Sequence, residues 1–199
     1  TAAANGFRPA DVMALLKHPL CRLGLKPFDI RRFSRAVEIL AFRKPYLGRG
    51  LEGIAAAIDM ARAARLAGEY QNAASARLYE EDMEGAAAIV TRLRAAYAPL
   101  AALFESHACH TLRDLANAHS ETAEALTALP NDDPAFHEGA NPLWQGDAGE
   151  AANTFFVMLH DPSLPDIDIR AAEYADLYRS LLARENVRER APVHPRVSI

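Results

Sequence analysis

The stretch ARLYEEDMEGAAAIVTRLRAAYAPLAALFE, residues 76–105, decides the fold class of this chain. Its apolar side chains recur every three or four positions, a spacing that places them on one face of an α-helix. Alanine, the strongest helix former, fills many of the remaining positions. The pattern predicts a long helix that begins at Ala76, has an acidic first half, kinks at Pro99 and finishes over Leu100–Glu105. Its apolar positions are Leu78, Met83, Ala86, Ile89, Val90, Leu93 and Tyr97.

The same helical periodicity extends along most of the chain, whereas the alternation that is typical of strands is almost absent. Asp29, Thr111 and Asp147 are the predicted N-caps of three helices, Asp114 completes a capping box with Thr111, and Gly68 ends a fourth helix. We therefore expect an all-α fold, a single helical domain of six to eight helices over residues 1–199. The other predicted helices are Pro9 to Lys17, Asp29 to Arg43, Leu51 to Ala67, Thr111 to Ala128, Asp147 to Leu159 and Ile169 to Arg184.

Two segments depart from the helical pattern. Residues 130–146 contain three prolines, two glycines and the only tryptophan, a composition that predicts an irregular loop. A loop of this length inside a domain is often functional or mobile. Residues 192–199 predict the start of a β-strand, which would need a partner from a following domain of a longer chain.

The bulk composition restricts the class of protein. Half of the residues are hydrophobic but only 8% are aromatic, and no run approaches eighteen consecutive apolar residues, so we expect no membrane-spanning segment. The two cysteines, Cys21 and Cys109, give no disulfide framework. They suit a reducing compartment, and we expect a cytoplasmic protein.

Two groups of residues suggest a cofactor or metal site at first sight. The stretch LGRGLEGI, residues 47–54, contains G-x-G-x-x-G, but it follows a basic helix and not the strand that a dinucleotide-binding motif requires. A loop that leads into a helix explains it better. Ligand pairs with the spacing of structural zinc sites are also missing around the histidine-rich segment. We therefore expect no cofactor and no metal; the residues considered as metal ligands are His107, Cys109, His110 and His119.

Four carboxylates near the start of the long helix raise the question of acid–base catalysis. Catalytic carboxylates need a cleft with little water and separated pKa values. Four acids in five positions point in several directions around a helix, so a charged face or a contact to a basic partner explains them better. No catalytic constellation emerges, and we expect that the chain by itself is not an enzyme. The four acids are Glu80, Glu81, Asp82 and Glu84.

The charge distribution is strongly uneven. The first fifty residues carry ten Lys or Arg and three Asp or Glu, whereas the remaining 149 carry twelve and twenty-three. This polarity predicts a surface that meets an anionic partner, with DNA the leading candidate. The alternative is a solvated helix face whose arginine stems cover apolar surface. The candidate phosphate contacts are Lys17, Arg22, Lys26, Arg31, Arg32, Arg35, Arg43, Lys44 and Arg49, together with the backbone amides around Gly24.

Several stretches together resemble one protein family. LLKHPLCRLGL (Leu15–Leu25) is followed by RAVEILAFR (Arg35–Arg43) and GLEGI (Gly50–Ile54). These stretches resemble the α-proteobacterial AddB subunit of the AddAB helicase-nuclease, which processes double-strand DNA breaks. The later matching stretches are PLWQGDAGE (Pro142–Glu150), AEYADLYRSLLA (Ala172–Ala183) and HPRVSI (His194–Ile199).

The resemblance implies a position and a role. By position the chain is similar to the helical insertion called domain 2B, which lies within the second helicase-like core domain of a longer AddB chain. The nuclease carboxylates, the iron–sulfur cysteines and the nucleotide-binding loop of the family have no counterpart here. In related helicases a turn near the start of 2B approaches the DNA backbone, and the matching positions are Lys17, His18, Arg22 and Gly24.

Three functional hypotheses remain open from the sequence. The leading one is a non-catalytic domain that positions DNA, or an AddA-like helicase-nuclease subunit, during double-strand break repair. The second is an interaction module that never touches DNA and docks its basic end on an acidic surface. The third is an independent helical enzyme with a site at the 130–146 loop, which a pocket lined by Trp144 and His137 would favour.

Overall fold

The longest helix, α4 (Glu80–Glu105), lies at the centre of the fold. It begins at Glu80 and not at Ala76, because residues Ser75–Arg77 form a short 3-10 turn before it. Asp82 fixes this start, since its Oδ2 accepts a hydrogen bond of 2.7 Å from the backbone N–H of Tyr79. The helix then continues through Pro99. The sequence therefore predicted the long helix correctly, although it began the helix one turn too early.

The computed structural model describes residues 2–43, 48–106, 108–137, 140–163 and 165–183. Seven α-helices lie within these ranges, which confirms the predicted all-α fold of six to eight helices. Besides α4 they are α1 (Pro9–Leu16), α2 (Pro27–Val37), α3 (Gly50–Leu66), α5 (Leu112–Thr127), α6 (Gly146–Leu159) and α7 (Ala171–Leu182). A π-helical turn, Glu38–Phe42, extends α2, and a 3-10 turn, Pro142–Trp144, precedes α6.

The predicted caps were correct at two helices and wrong at two others. The Oγ1 of Thr111 accepts from the N–H of Asp114 at 3.0 Å and so caps α5, and Gly68, with φ of +70°, follows α3. However, α2 begins at Pro27, before the expected cap Asp29, because proline is well suited to the first helical position. Asp147 lies within the first turn of α6 and does not cap it.

A small antiparallel sheet joins the segment before α5 to the segment before α7. Its strands are β1 (Cys109–Thr111) and β2 (Asp168–Arg170), with His110 opposite Ile169. The sequence did not predict this sheet, because three-residue strands are too short to show alternation. Since β2 takes up residues 168–170, α7 begins at Ala171 and not at Ile169. The strand expected over 192–199 lies outside the described residues.

The main hydrophobic core is built by α1, α2 with its π-helical turn, α3 and α4. The close approach of α2 to α4 occurs at Gly85, where a Cβ atom would lie 2.2 Å from the ring of Phe33. Fully buried aliphatic side chains fill the space on the other faces of α4. The largest of them in this part of the fold are Leu40, Ile54, Ile58, Met83, Ile89 and Leu93.

A second, aromatic cluster holds α5, α6 and α7 together. The rings of Phe156 and Tyr178 lie 5.9 Å apart, and Trp144 meets Phe156 edge-on at 5.7 Å. Because α5 packs along α4 and α7 also touches α4, the two clusters share one central helix.

The apolar character of α4 follows from this central position. Among the described helices, α4 is the one whose length and mean hydropathy, 1.3 over its most apolar window, would also allow it to cross a membrane. In the fold it packs against α2, α3 and α5.

We expect that Gly85→Ala lowers the free energy of unfolding. Overpacking a closely packed contact costs about 1–3 kcal/mol, whereas replacing a helical glycine by alanine gains at most about 1 kcal/mol. Urea denaturation monitored by circular dichroism measures the difference. The double variant Gly85→Ala, Phe33→Leu should recover most of the loss, and a single variant that is more stable than the wild type would contradict the close approach of α2 and α4.

Candidate nucleic-acid interface

The amphipathic helix α2 positions two arginines at the surface. Ile30, Ser34 and Val37 are buried against α4 and α1, and the Oγ of Ser34 is bonded to the carbonyl of Ile30 at 2.5 Å. The opposite face therefore lies in solvent, where Arg31 and Arg35 are exposed. Within the described ranges neither arginine forms an ion pair.

These two arginines border a shallow groove of about 320 Å³ between α1, α2 and the π-helical turn. Four cations and a single carboxylate line it, so the groove is electropositive and suited to an anion such as a phosphate. The lining side chains are Leu16, Lys17, Arg31, Ser34, Arg35, Glu38 and Arg43. Of the residues predicted from sequence to meet DNA, this groove brings together Lys17, Arg31, Arg35 and Arg43.

Glu38 holds two of the four cations in place. Its Oε1 accepts from Arg43 at 2.8 Å and its Oε2 from Lys17 at 3.3 Å. The hydrogen bonds from Arg43 and then Lys17 keep the pKa of the Glu38 carboxyl below its usual value. The π-helical turn contributes, because the backbone N–H of Arg43 donates to the carbonyl of Glu38, five residues earlier, at 3.1 Å.

Arg32 is paired within the fold, although it follows Arg31 directly. Its Nε donates to Oδ1 of Asp82 at 2.5 Å, and its guanidinium also pairs with Glu81 at 3.0 Å. The Asp82 side chain is only 9% exposed and would be left without this partner if Arg32 turned outward. Arg32 therefore joins α2 to the start of α4.

The backbone amides of the turn between α1 and α2 also form hydrogen bonds within the chain. The amides of Leu23 and Gly24 donate to the carbonyls of Leu126, at 3.0 Å, and Ala128, at 2.7 Å. The amide of Leu25 donates to Arg22. All three amides that were predicted to approach a phosphate therefore already have acceptors within the chain.

The remaining predicted contacts are scattered. His18 is exposed and its Nδ1 accepts from the N–H of Leu20, while the Arg22 side chain is half-buried. Lys26 pairs with Asp132 at 2.6 Å. Lys44 lies outside the described residues.

Two functional features of this surface were missed from sequence. Glu38 was not singled out from the sequence, yet it is the carboxylate that neutralises part of the groove. Phe28, the second residue of α2, is 65% exposed on the same side as the arginines. Counting positions i, i+3 and i+7 from Phe28 would have found it beside Arg31 and Arg35.

The acidic cluster has partners within the chain. Glu80 pairs with Arg62 at 3.1 Å, and Glu81 and Asp82 share Arg32. Among the described residues, no three His, Cys, Asp or Glu side chains come close enough to hold a metal ion. Three of the four carboxylates therefore tie the start of α4 to α2 and α3.

The side chains considered for an enzyme site lie in different environments. Trp144 packs in the aromatic cluster and its Nε1 donates to Glu124 at 2.7 Å, whereas His137 is exposed. A separate apolar hollow of about 250 Å³ lies between α4, α5 and α7, and His119 faces it. There Nδ1 of His119 lies 2.9 Å from the hydroxyl of Tyr174, and burial lowers the pKa of His119 to about 4.

Compared with protein-family models, with curated proteins and with solved structures, the chain shows no significant match.

We expect that Arg32 contributes to the stability of the fold and that Arg31 does not. Arg32→Ala should lower the midpoint of urea unfolding, because it leaves the buried Asp82 carboxylate unpaired. Arg31→Ala should change the free energy of unfolding by no more than about 0.5 kcal/mol, as is usual for an exposed side chain. Equal midpoints for the two variants would contradict the structural role of Arg32.

We expect that His119 makes stability pH-dependent. Because its pKa is near 4 in the folded chain and 6.5 when exposed, the unfolded state binds the proton first. Its contribution is complete above pH 6.5 and is lost as the pH falls toward 4, by at most about 1.4 kcal/mol per pH unit. Thermal unfolding of His119→Gln should lack this slope, whereas the exposed control His137→Gln should keep it.

Proposed function

We propose that this chain is a non-catalytic helical domain that holds DNA through its phosphates. The groove between α1 and α2 is the site of contact. Arg31 and Arg35, which have no ion pair in the described structure, bind phosphates directly. Lys17 and Arg43, at the two sides of the groove, add to its positive electrostatic potential. Contacts of this kind give affinity without reading the base sequence.

The observation that carries the proposal is the convergence of four cations on one groove. Arg31 and Arg35 lie on α2, Arg43 directly follows the π-helical turn that extends α2, and Lys17 directly follows α1, so the amphipathicity of α2 alone does not bring Lys17 to the groove. A cluster of like charges destabilises a fold through mutual repulsion, unless carboxylates of the chain or a bound anion neutralise it. Glu38 neutralises part of the cluster, and a phosphate backbone would neutralise the rest.

The resemblance to AddB gives this activity a setting. In that setting the chain is the 2B-like insertion of an AddB-type subunit, beside an AddA-like helicase-nuclease partner. It guides DNA during the repair of double-strand breaks while ATP hydrolysis and cleavage take place in other parts of the assembly. No catalytic role for the domain itself is required.

A second candidate function is a protein-interaction module whose groove docks on an acidic surface of the partner subunit. One observation favours it: Lys17, Arg43 and Arg32 are already paired with carboxylates of the chain itself. That pairing leaves a small unpaired charge for a polyanion as long as DNA. The two candidates differ in whether the isolated chain binds DNA.

We expect the 199-residue chain to bind a fluorescent forked duplex with an affinity that falls between about 50 and 200 mM salt. Arg31→Ala combined with Arg35→Ala should weaken binding and reduce the slope of log Kd against log salt by about 2, one for each lost phosphate contact. Glu38→Gln should act in the opposite direction, because it releases Lys17 and Arg43. Fluorescence anisotropy measures all three.

The matched control for Glu38→Gln is Glu52→Gln. Glu52 lies on α3 and pairs with Arg94, so its replacement removes the same charge from a different face. Tighter DNA binding by Glu38→Gln alone supports the groove, whereas equal tightening by both variants indicates net charge only. Absence of DNA binding at low salt, with binding to an AddA-like subunit, would replace the proposal by the second candidate.

A further inference from the structure

Phe28 is an exposed aromatic side chain at the start of the basic helix face. It is 65% exposed, although its ring is large and apolar. Ile30 and Val37 lie on the buried face of α2, and Phe28 lies on the opposite side of the helix axis. A single exposed apolar residue is common at protein surfaces, so the neighbours of Phe28 decide whether it has a role.

One turn along α2 from Phe28 lie Arg31 and Arg32, and Arg35 follows one turn later; Arg32 is paired with Glu81 and Asp82, so Arg31 and Arg35 are the cations of this side that have no ion pair within the described ranges. With 3.6 residues per turn, Phe28, Arg31 and Arg35 fall within about 60° of one another around the axis of α2. At a rise of 1.5 Å per residue, the row from Phe28 to Arg35 is about 10 Å long. One side of α2 thus presents an aromatic ring followed by two cations that have no ion pair in the described structure.

We propose that Phe28 stacks on an unpaired base of single-stranded DNA whose phosphates lie on Arg31 and Arg35. This inference rests on the proposed function and specifies that the DNA bound at the groove is single-stranded. An aromatic ring next to cations is the combination that binds single strands, because every base offers a flat face and every nucleotide a phosphate. In a duplex those faces are covered by the neighbouring base pairs, so Phe28 would gain nothing.

The charge pattern argues against an apolar protein partner on the same surface. A hydrophobic helix docked on Phe28 would also cover Arg31 and Arg35, and it would have to remove water from both guanidinium groups without supplying an anion. A single strand supplies both the flat apolar surface and the anions. Charge complementarity therefore selects the nucleic acid as the occupant.

The test is a comparison of four variants with the wild type on two forms of DNA. Each chain is titrated against a labelled thymidine oligonucleotide and against a duplex of equal length, at two salt concentrations. Phe28→Ala should weaken binding to the single strand by about tenfold or more, since stacking on an aromatic side chain has roughly that value. It should leave the salt slope and the duplex affinity unchanged, whereas Phe28→Trp should retain single-strand binding.

The controls separate stacking from a loss of structure or of charge. Tyr70→Ala removes another aromatic ring that is 93% exposed but lies after α3, and it should bind like the wild type. An oligonucleotide with abasic positions keeps its phosphates but offers no face, so the wild-type chain should bind it as weakly as Phe28→Ala binds the thymidine strand.

Two results would overturn the inference in different ways. If Phe28→Ala binds the single strand as tightly as the wild type while Arg31→Ala with Arg35→Ala binds it weakly, the groove holds phosphates without stacking, and the proposed function survives. If the wild-type chain binds neither form of DNA at the lower salt concentration, the proposed function fails and the stacking proposal fails with it.

Discussion

The ion pair between Arg32 and Asp82 fixes the rotation of α2 about its axis relative to α4. That rotation decides which side chains of α2 face the solvent. Asp82 is bonded at once to Arg32 and to the backbone at the start of α4, so one carboxylate ties the beginning of the central helix to the middle of α2. Successive residues of a helix are about 100° apart. A rotation by one position would turn Arg31 toward α4 and expose Ile30.

Gly85 sets the distance at which this orientation holds. Without a Cβ at Gly85 the ring of Phe33 can lie directly against α4, one turn from the Arg32–Asp82 pair. The aromatic and the ionic contacts thus act on neighbouring residues of both helices. With the buried face of α2 fixed by these contacts, the arginines of the opposite face can point to solvent without any stabilising contact of their own.

Much of the fold could be predicted because its signals are local. The caps at Thr111 and Gly68 and the apolar period of residues 76–105 each lie within a few neighbouring positions. The sheet of β1 and β2 could not be predicted in this way, since its two strands are about sixty residues apart and only three residues long. The start of α2 was misjudged because Asp29 is a good cap residue that happens to follow a better signal, Pro27.

The candidate site was predictable as a region but not residue by residue. Composition treats Arg31 and Arg32 as equivalent neighbours; their different surroundings depend on Asp82, which is fifty positions further along the chain. The amides of Leu23 and Gly24 likewise have acceptors that are distant in sequence, the carbonyls of Leu126 and Ala128 at the end of α5. In each case a partner distant in sequence decided which basic or amide group stayed available.

The uneven charge of the two parts of the chain therefore has two physical origins. Part of it is complementarity within the fold: Lys26 meets Asp132 and Arg32 meets Glu81 and Asp82, so basic residues of the first part hold acidic residues of the second. In these pairs the charges of Lys26 and Arg32 are already balanced by carboxylates of the chain. What remains is Arg31 and Arg35 in the groove that Glu38 only partly neutralises. The unpaired cationic surface of α2 is therefore smaller than the composition suggests, because Arg32 on the same helix and Lys26 just before it are already paired with carboxylates.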